Sequence, residues 1–397
     1  MTFLDEALKI KEEIITLRRD FHSHPELGFE EKRTSKIVGE TLESLGLSVT
    51  RGIAETGVIG ILKGIKESPV LLLRFDMDAL PIVEETGVAY ASKNPGVMHA
   101  CGHDSHVAIG LSVAKLLAAN RDLLQGTIKF VFQPAEEGGG GAERMVEAGV
   151  LENPKVDYSM GVHVWNDKPV GWYGLTRGPA MAGAEIFSVE IQGKGAHAAS
   201  PHQGIDPVVA VAQIITALQT ILSRNVPPLE SAVVSVCQVE TGTAFNIIPQ
   251  EANFSGTIRT FRPEVFEKVK QRFTTIVNDV ASAFDCQAEI KIKRITYPVV
   301  NDPALVDLMA NAVEAVDTNA VMDFSLQTMG SEDFSFMMHD IPGCFIMVGS
   351  ANPEKGLNYG HHHPKFNIDE ACLPYAVAIM AKGAVEILKN NPKMTLL

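Results

Sequence analysis

Long hydrophobic runs, an excess of basic charge and a cysteine framework are all missing from this 397-residue sequence. Apolar stretches such as Val70–Leu73 fall far short of the roughly 20 residues a membrane span requires, so no membrane association is expected. Lys plus Arg number 34 against 48 Asp plus Glu, a formal net charge of −14. That balance disfavours a nucleic-acid partner, because such binding rests on basic patches that neutralise phosphates. The five cysteines (Cys101, Cys237, Cys286, Cys344, Cys372) are odd in number and widely scattered. They make no disulfide framework, and a functional cysteine is expected to be a ligand or a nucleophile. The first twenty residues mix Asp5, Glu6, Lys9, Lys11 and Glu12 into an amphipathic pattern, with no apolar signal core and no small-residue cleavage site. The chain therefore reads as cytoplasmic. Repeats, low-complexity tracts and long linkers are absent as well.

What is present suits a folded chain of two to three units, at roughly 150 residues per domain. Apolar residues make up 46% and charged residues 21%, ample for a core. Up to about Gly178, short apolar runs alternate with helical patterns. Strands are expected at Gly57–Leu62, Val70–Phe75, Thr127–Phe132 and Tyr158–Val164, and a helix over Ser105–Ala119. This texture predicts an α/β layer with a mostly parallel central sheet. From Ile186 the pattern changes to strand, helix, strand, strand, helix, strand, which suits an inserted α+β domain with an antiparallel sheet. Asp-Pro pairs open two helices, at Asp206–Pro207 and Asp302–Pro303. The expected organisation is an α/β domain from residues 1–182 and 295–397, split by a smaller satellite domain at 183–294.

Histidines carry most of the chemical information. His99, Cys101, His103, Asp104 and His106 fall within eight residues, directly before a helical run. Thiolate and imidazole are preferred ligands of zinc-like divalent metals, and a loop at a helix start lets several converge. The plainer reading is a helix N-cap by Asp104 with surface histidines beside it. Gln133–Gly141 follows an apolar strand and places Glu136 and Glu137 at its carboxyl end, where α/β sheets put their ligands. Adjacent side chains diverge, so one carboxylate is free to bind metal while its neighbour faces substrate as a general base. The Lys-Ser/Thr that would complete a phosphate-binding loop is missing. Arg74, Asp76 and Asp78 close another strand, His163 a third, and His361, His362 and His363 precede Pro364. Together these clusters suggest one metal centre at the sheet's carboxyl edge. Within the satellite, His197 in a glycine-rich loop, Asn246 and Arg259 are weaker candidates, readable equally as turn or strand-end residues.

Six ordered motifs carry a resemblance: RFDMDALP at Arg74–Pro81, HACGHD at His99–Asp104, QPAEEGG at Gln133–Gly139, HVW at His163–Trp165, GKGAHAASP at Gly193–Pro201 and HHHP at His361–Pro364. The chain resembles the amidohydrolase branch of the aminoacylase/carboxypeptidase-like metallopeptidases. That branch includes hippurate hydrolases, N-acyl-amino-acid amidohydrolases, N-acetyldiaminopimelate deacetylases and auxin-conjugate hydrolases. The resemblance implies two divalent metals (Mn, Zn, Co or Ni) in the α/β domain, a small-molecule acyl-amino-acid substrate and a homodimer through the satellite. It implies metal ligation by Cys101, His103, Glu137, His163 and His362, with His361 or His363 as alternatives to His362. Glu136 matches the general base, and Asp78 an acid behind the metal centre, with Asp76 competing for that place. His197, Asn246 and Arg259 match substrate-binding positions.

Three other readings stand beside amide hydrolysis of N-acyl amino acids. One is a dipeptidase or aminopeptidase of the same family, and another a non-catalytic metal-binding relative. The third is a cysteine hydrolase with Cys101 as nucleophile and His103 or His106 as base.

Overall fold

The structure is a computed structural model that describes residues 2–392. The chain divides into two compact units. The first comprises Met1–Gly178, Val300–Gln327 and Asp333–Leu397, and the second Pro179–Val299 and Thr328–Glu332.

Among the described residues, the first unit is built on an eight-stranded sheet. In spatial order its strands are Ser48–Ile53, Gly57–Lys63, Thr127–Gln133, Val70–Asp76, Tyr158–Pro169, Gly343–Ala351, Trp172–Gly174 and Val321–Asp323. Thr127–Gln133, Val70–Asp76, Tyr158–Pro169 and Gly343–Ala351 run parallel to one another. Antiparallel pairings flank them: Gly57–Lys63 on Thr127–Gln133 and Trp172–Gly174 on Gly343–Ala351. Val70–Asp76, Thr127–Gln133 and Gly343–Ala351 are buried at every residue. This explains why they read as continuous apolar runs and not as alternating ones. Helices His103–Ala119 and Cys372–Asn390 are buried over most of their length, and their apolar residues join the strands in one core cluster.

Two expected boundaries shift by more than one residue. The helix expected from Ser105 begins at His103. The strand expected to end at Val164 continues to Pro169, because Trp165 and Pro169 pair with Gly349 and Ala351. His163 therefore lies within a strand and does not close it.

The second unit carries a four-stranded antiparallel sheet in the order Ala232–Thr241, Glu251–Thr260, Gly183–Gln192, Gln287–Thr296. Phe187, Val189 and Ile191 alternate along Gly183–Gln192 and are buried, as expected for a sheet with one covered face. Helix Pro263–Ala283 buries Val265, Phe266, Val269, Phe273, Ile276 and Val277, a helical spacing that gives it one apolar face. Helix Pro207–Thr220 buries Ala210, Val211, Ile214 and Leu218. By length and composition alone, Pro207–Asn225 is apolar enough to cross a membrane. Its buried face belongs to this unit's core.

Candidate functional site

Cys101, His103, Glu137, His163 and His362 all converge in the first unit. Their ligand atoms form overlapping groups, Cys101–His103–His163, Cys101–Glu137–His362 and His103–Glu136–Glu137, each with its atoms within 4.8 Å of one another. The turn Cys101–Gly102–His103 makes part of this possible. Gly102 has φ of +93°, and a Cβ there would stand 2.4 Å from Val164 Cγ2. Only glycine passes so close while adopting that conformation.

His103 and His163 each have one ring nitrogen committed to a backbone carbonyl. His103 Nδ1 donates to the Asp78 carbonyl oxygen at 2.9 Å, which leaves Nε2 as the ring nitrogen not committed to the protein. That atom is buried, has no hydrogen-bond partner among the described residues, and lies 4.0 Å from Glu137 Oε1 and 3.8 Å from Asp76 Oδ2. Burial opposes charge on His103, but Asp76, then Asp78 and Glu137, outweigh it and push its pKa up to about 10. Such an excess of negative charge around one buried ring calls for a cation. His163 Nδ1 donates to the Val164 carbonyl at 2.6 Å, and its Nε2 faces Cys101 Sγ at 3.5 Å. Burial, then His106 and His361, hold His163 well below the usual imidazole range, so it is neutral, the form a metal binds. An orphaned His103 nitrogen and a histidine tautomer fixed by a backbone carbonyl are the arrangement that metal-binding histidines show. The donor set of one sulfur, imidazole nitrogens and carboxylate oxygens fits zinc-like divalent metals.

The three consecutive histidines separate by their surroundings. Asn166 donates its backbone N–H to His361 Nε2 at 3.2 Å, which places the ring proton on Nδ1, 3.9 Å from Cys101 Sγ. Lys365 donates its N–H to His363 Nδ1, and that ring stacks on Tyr359. His362, in a left-handed conformation at φ +64°, reaches Glu137 Oε1 with Nε2 at 3.1 Å. The two acids separate as well. Asp78 accepts the backbone N–H groups of Glu136 and Glu137, both at 3.0 Å, while Asp76 is held by His106 and Arg74, both at 2.6 Å.

Cys101 does not suit the nucleophile reading. Burial, then Glu137 and Glu136, push its thiol well above the usual range. Nor is His106 placed as its base, since its Nε2 accepts the Val164 N–H at 2.9 Å. Asp104 is not the helix cap; Gly102 holds that position, and Asp104 pairs in the interior with Arg18 and His22, both at 2.8 Å.

In the second unit, the short strand Ala196–His197 pairs antiparallel with Ile247–Ile248, and Ala198 donates to the Asn246 carbonyl at 3.1 Å. His197 and Asn246 thus line one groove of about 890 Å³ with Thr241 and Ile248. Arg259 lies elsewhere on the sheet, half-buried, and donates to Thr257 Oγ1 at 2.7 Å. Sequence reasoning passed over Asp333, which accepts from Gln133 Nε2, Arg74 and the Ala142 N–H. It also passed over Glu31, bound to Thr56 and to the Ala135 N–H. Neither sits in a periodic pattern, and the only sequence signal for Glu31 is the doubled acid Glu30–Glu31.

A profile of Peptidase family M20/M25/M40 matches residues 72–385. The chain is 41% identical over 382 residues to an N-acetyl-L-cysteine deacetylase of Bacillus subtilis, covering 96% of this chain and 90% of that protein. It is 42% identical over 389 residues to the IAA-amino acid hydrolase ILR1-like 4 of Arabidopsis thaliana, covering 96% and 87%. Among solved structures, the Bacillus subtilis YXEP protein, described as a dinuclear metal binding peptidase from the M20 family, superposes with a TM-score of 0.85 at 37% identity. That superposition covers 96% of this chain and 99% of that one. With motifs, fold and relatives in agreement over nearly its whole length, the chain belongs to peptidase family M20/M25/M40.

Proposed function

We propose that this protein hydrolyses the amide bond of N-acyl or N-aroyl amino acids to a carboxylic acid and the free amino acid. The observation that carries this reading is the buried His103 Nε2, without a hydrogen-bond partner among the described residues, set among Cys101, Glu137 and His163 and beside the Glu136–Glu137 pair. Cys101, His103, Glu137, His163 and His362 would hold two divalent metals (Mn, Zn, Co or Ni), with Asp78 behind them. Such cations supply Lewis-acid polarisation of the substrate carbonyl and acidify water. Glu136 takes a proton from the attacking water and returns it to the leaving amine, so one carboxylate serves as base and then acid. His197, Asn246 and Arg259 are assigned to the substrate, with residues 183–294 as the satellite and dimerisation domain. The named activities of the deacetylase and the auxin-conjugate hydrolase support an acylated amino acid as substrate.

The test combines metal analysis with turnover on a panel of acyl amino acids and dipeptides. Glu136→Gln is expected to lower kcat by about 10²–10⁴ while bound metal stays at the wild-type level. Chelation should abolish turnover, and Mn, Zn, Co or Ni should restore it. Turnover retained by a metal-free preparation overturns the reading. Preference for dipeptides over hippurate would assign a dipeptidase instead.

A further inference from the structure

The loop that carries Glu136 leaves the end of strand Thr127–Gln133 and crosses to helix Gly141–Glu147. Its backbone is unusual, because Ala135 sits at φ +51°, a left-handed conformation that costs a residue with a side chain about 1 kcal/mol or more. Something must hold it there. Three successive amides of this loop are each bound by a buried carboxylate oxygen. Ala135 N–H donates to Glu31 Oε1 at 2.9 Å, Glu136 N–H to Asp78 Oδ1 at 3.0 Å and Glu137 N–H to Asp78 Oδ2 at 3.0 Å. Asp78 was legible as part of the metal centre. Glu31 was not, and no part of the proposed chemistry uses it.

Glu31 occupies the position before helix Lys32–Ser44, yet its side chain makes no cap hydrogen bond to that helix. It is fully buried and turns inward, with Thr56 Oγ1 donating to Oε2 at 2.5 Å and Ala135 N–H donating to Oε1. A buried carboxyl diverted from its own helix to a strained residue beside two functional acids is not explained by packing alone. The approach is tight throughout, since a Cβ on Gly28 would meet Ala135 Cβ at 2.9 Å.

We propose that Glu31 is a positioning residue: by holding the Ala135 amide it fixes the left-handed turn that aims the Glu136 carboxylate. This inference rests on the reading of Glu136 as the base, but its structural arm does not. The companion residue Thr56 anchors Glu31 itself, so Thr56→Val should produce a weaker version of the same defect.

The experiment compares the metal-loaded wild-type protein with Glu31→Ala, Glu31→Gln and Thr56→Val by hydrogen–deuterium exchange of residues 135–137, metal analysis and steady-state kinetics. In Glu31→Ala the 135–137 amides should exchange at least tenfold faster, with bound metal unchanged. Its kcat on an acyl amino acid should fall tenfold or more, while KM moves less than threefold. Glu31→Gln keeps an oxygen acceptor for Ala135 and should recover kcat to within threefold of wild type. Wild-type exchange in Glu31→Ala, or in Thr56→Val should the alanine variant fail to fold, overturns the proposal. So does faster exchange with unchanged kcat. A wild-type protein with no turnover on any acyl amino acid defeats the proposed function instead, and the exchange result then decides alone whether Glu31 holds the loop.

Discussion

The Glu31 carboxyl is pushed up to about 7, chiefly by burial and further by the Asp78 charge, while Thr56 and the Ala135 amide pull the other way. Its proton is therefore held more tightly in the folded chain than in the unfolded one, where the carboxyl titrates near 4.5. Between those two values the folded state binds more protons, so stability falls as pH rises through that window. Glu31→Gln has no such proton to lose. Relative to this variant, the metal-free wild-type protein should lose roughly 3 kcal/mol between pH 4.5 and pH 8, read by urea melts at several pH values. A pH-independent difference would show that Glu31 does not titrate in this window. Single residues also mark where sequence reading stops. The motif HHHP announces a histidine ligand, but which of three rings is free depends on the Asn166 amide reaching His361 from 195 residues away. No local pattern encodes that.

Among the elements, the fully buried strands and the helices begun by Asp206–Pro207 and Asp302–Pro303 were legible, since both Asp side chains accept from the first-turn amides as expected. Strands Ser48–Ile53, Trp172–Gly174 and Val321–Asp323 were not. They lie outside the four central parallel strands, on either side of them, are mostly short, and owe their conformation to a neighbouring strand more than to their own composition. The carboxyl-edge loops that gather the candidate ligands were found by residue type, whereas the extension of the His163 strand depended on pairing with Gly349 and Ala351. The turn before helix His103–Ala119 offers the sharpest test at this scale. Gly102→Ala places a methyl group against Val164 and a side chain on a left-handed residue. Because Cys101 and His103 flank it, metal affinity should weaken at least tenfold, measured by competition with a chromogenic chelator. Wild-type affinity in a folded Gly102→Ala protein would show that this turn does not set the ligand geometry.

At the scale of the whole molecule, the two units have separate hydrophobic cores, and the candidate metal ligands belong to the first alone. Both tryptophans, Trp165 and Trp172, belong to it too. Tryptophan fluorescence therefore reports the first unit selectively. Removing metal should lower the melting transition seen by fluorescence, since metal at a hundredfold excess over its Kd contributes about 2.7 kcal/mol. A fluorescence transition unmoved by chelation would place the metal contribution outside this unit or remove it altogether. The acid-bound loop carries one more consequence. Glycine-rich turns often cradle anions with their amides, and this one has the look of such a nest. Yet the amides of Ala135, Glu136 and Glu137 are consumed by carboxylates, and that of Gly138 by the Glu136 carbonyl. No oxyanion hole can be drawn from these four. Negative charge arising on a substrate oxygen would find none of these four amides to meet it, so they offer no backbone substitute for the cations the candidate ligands would hold.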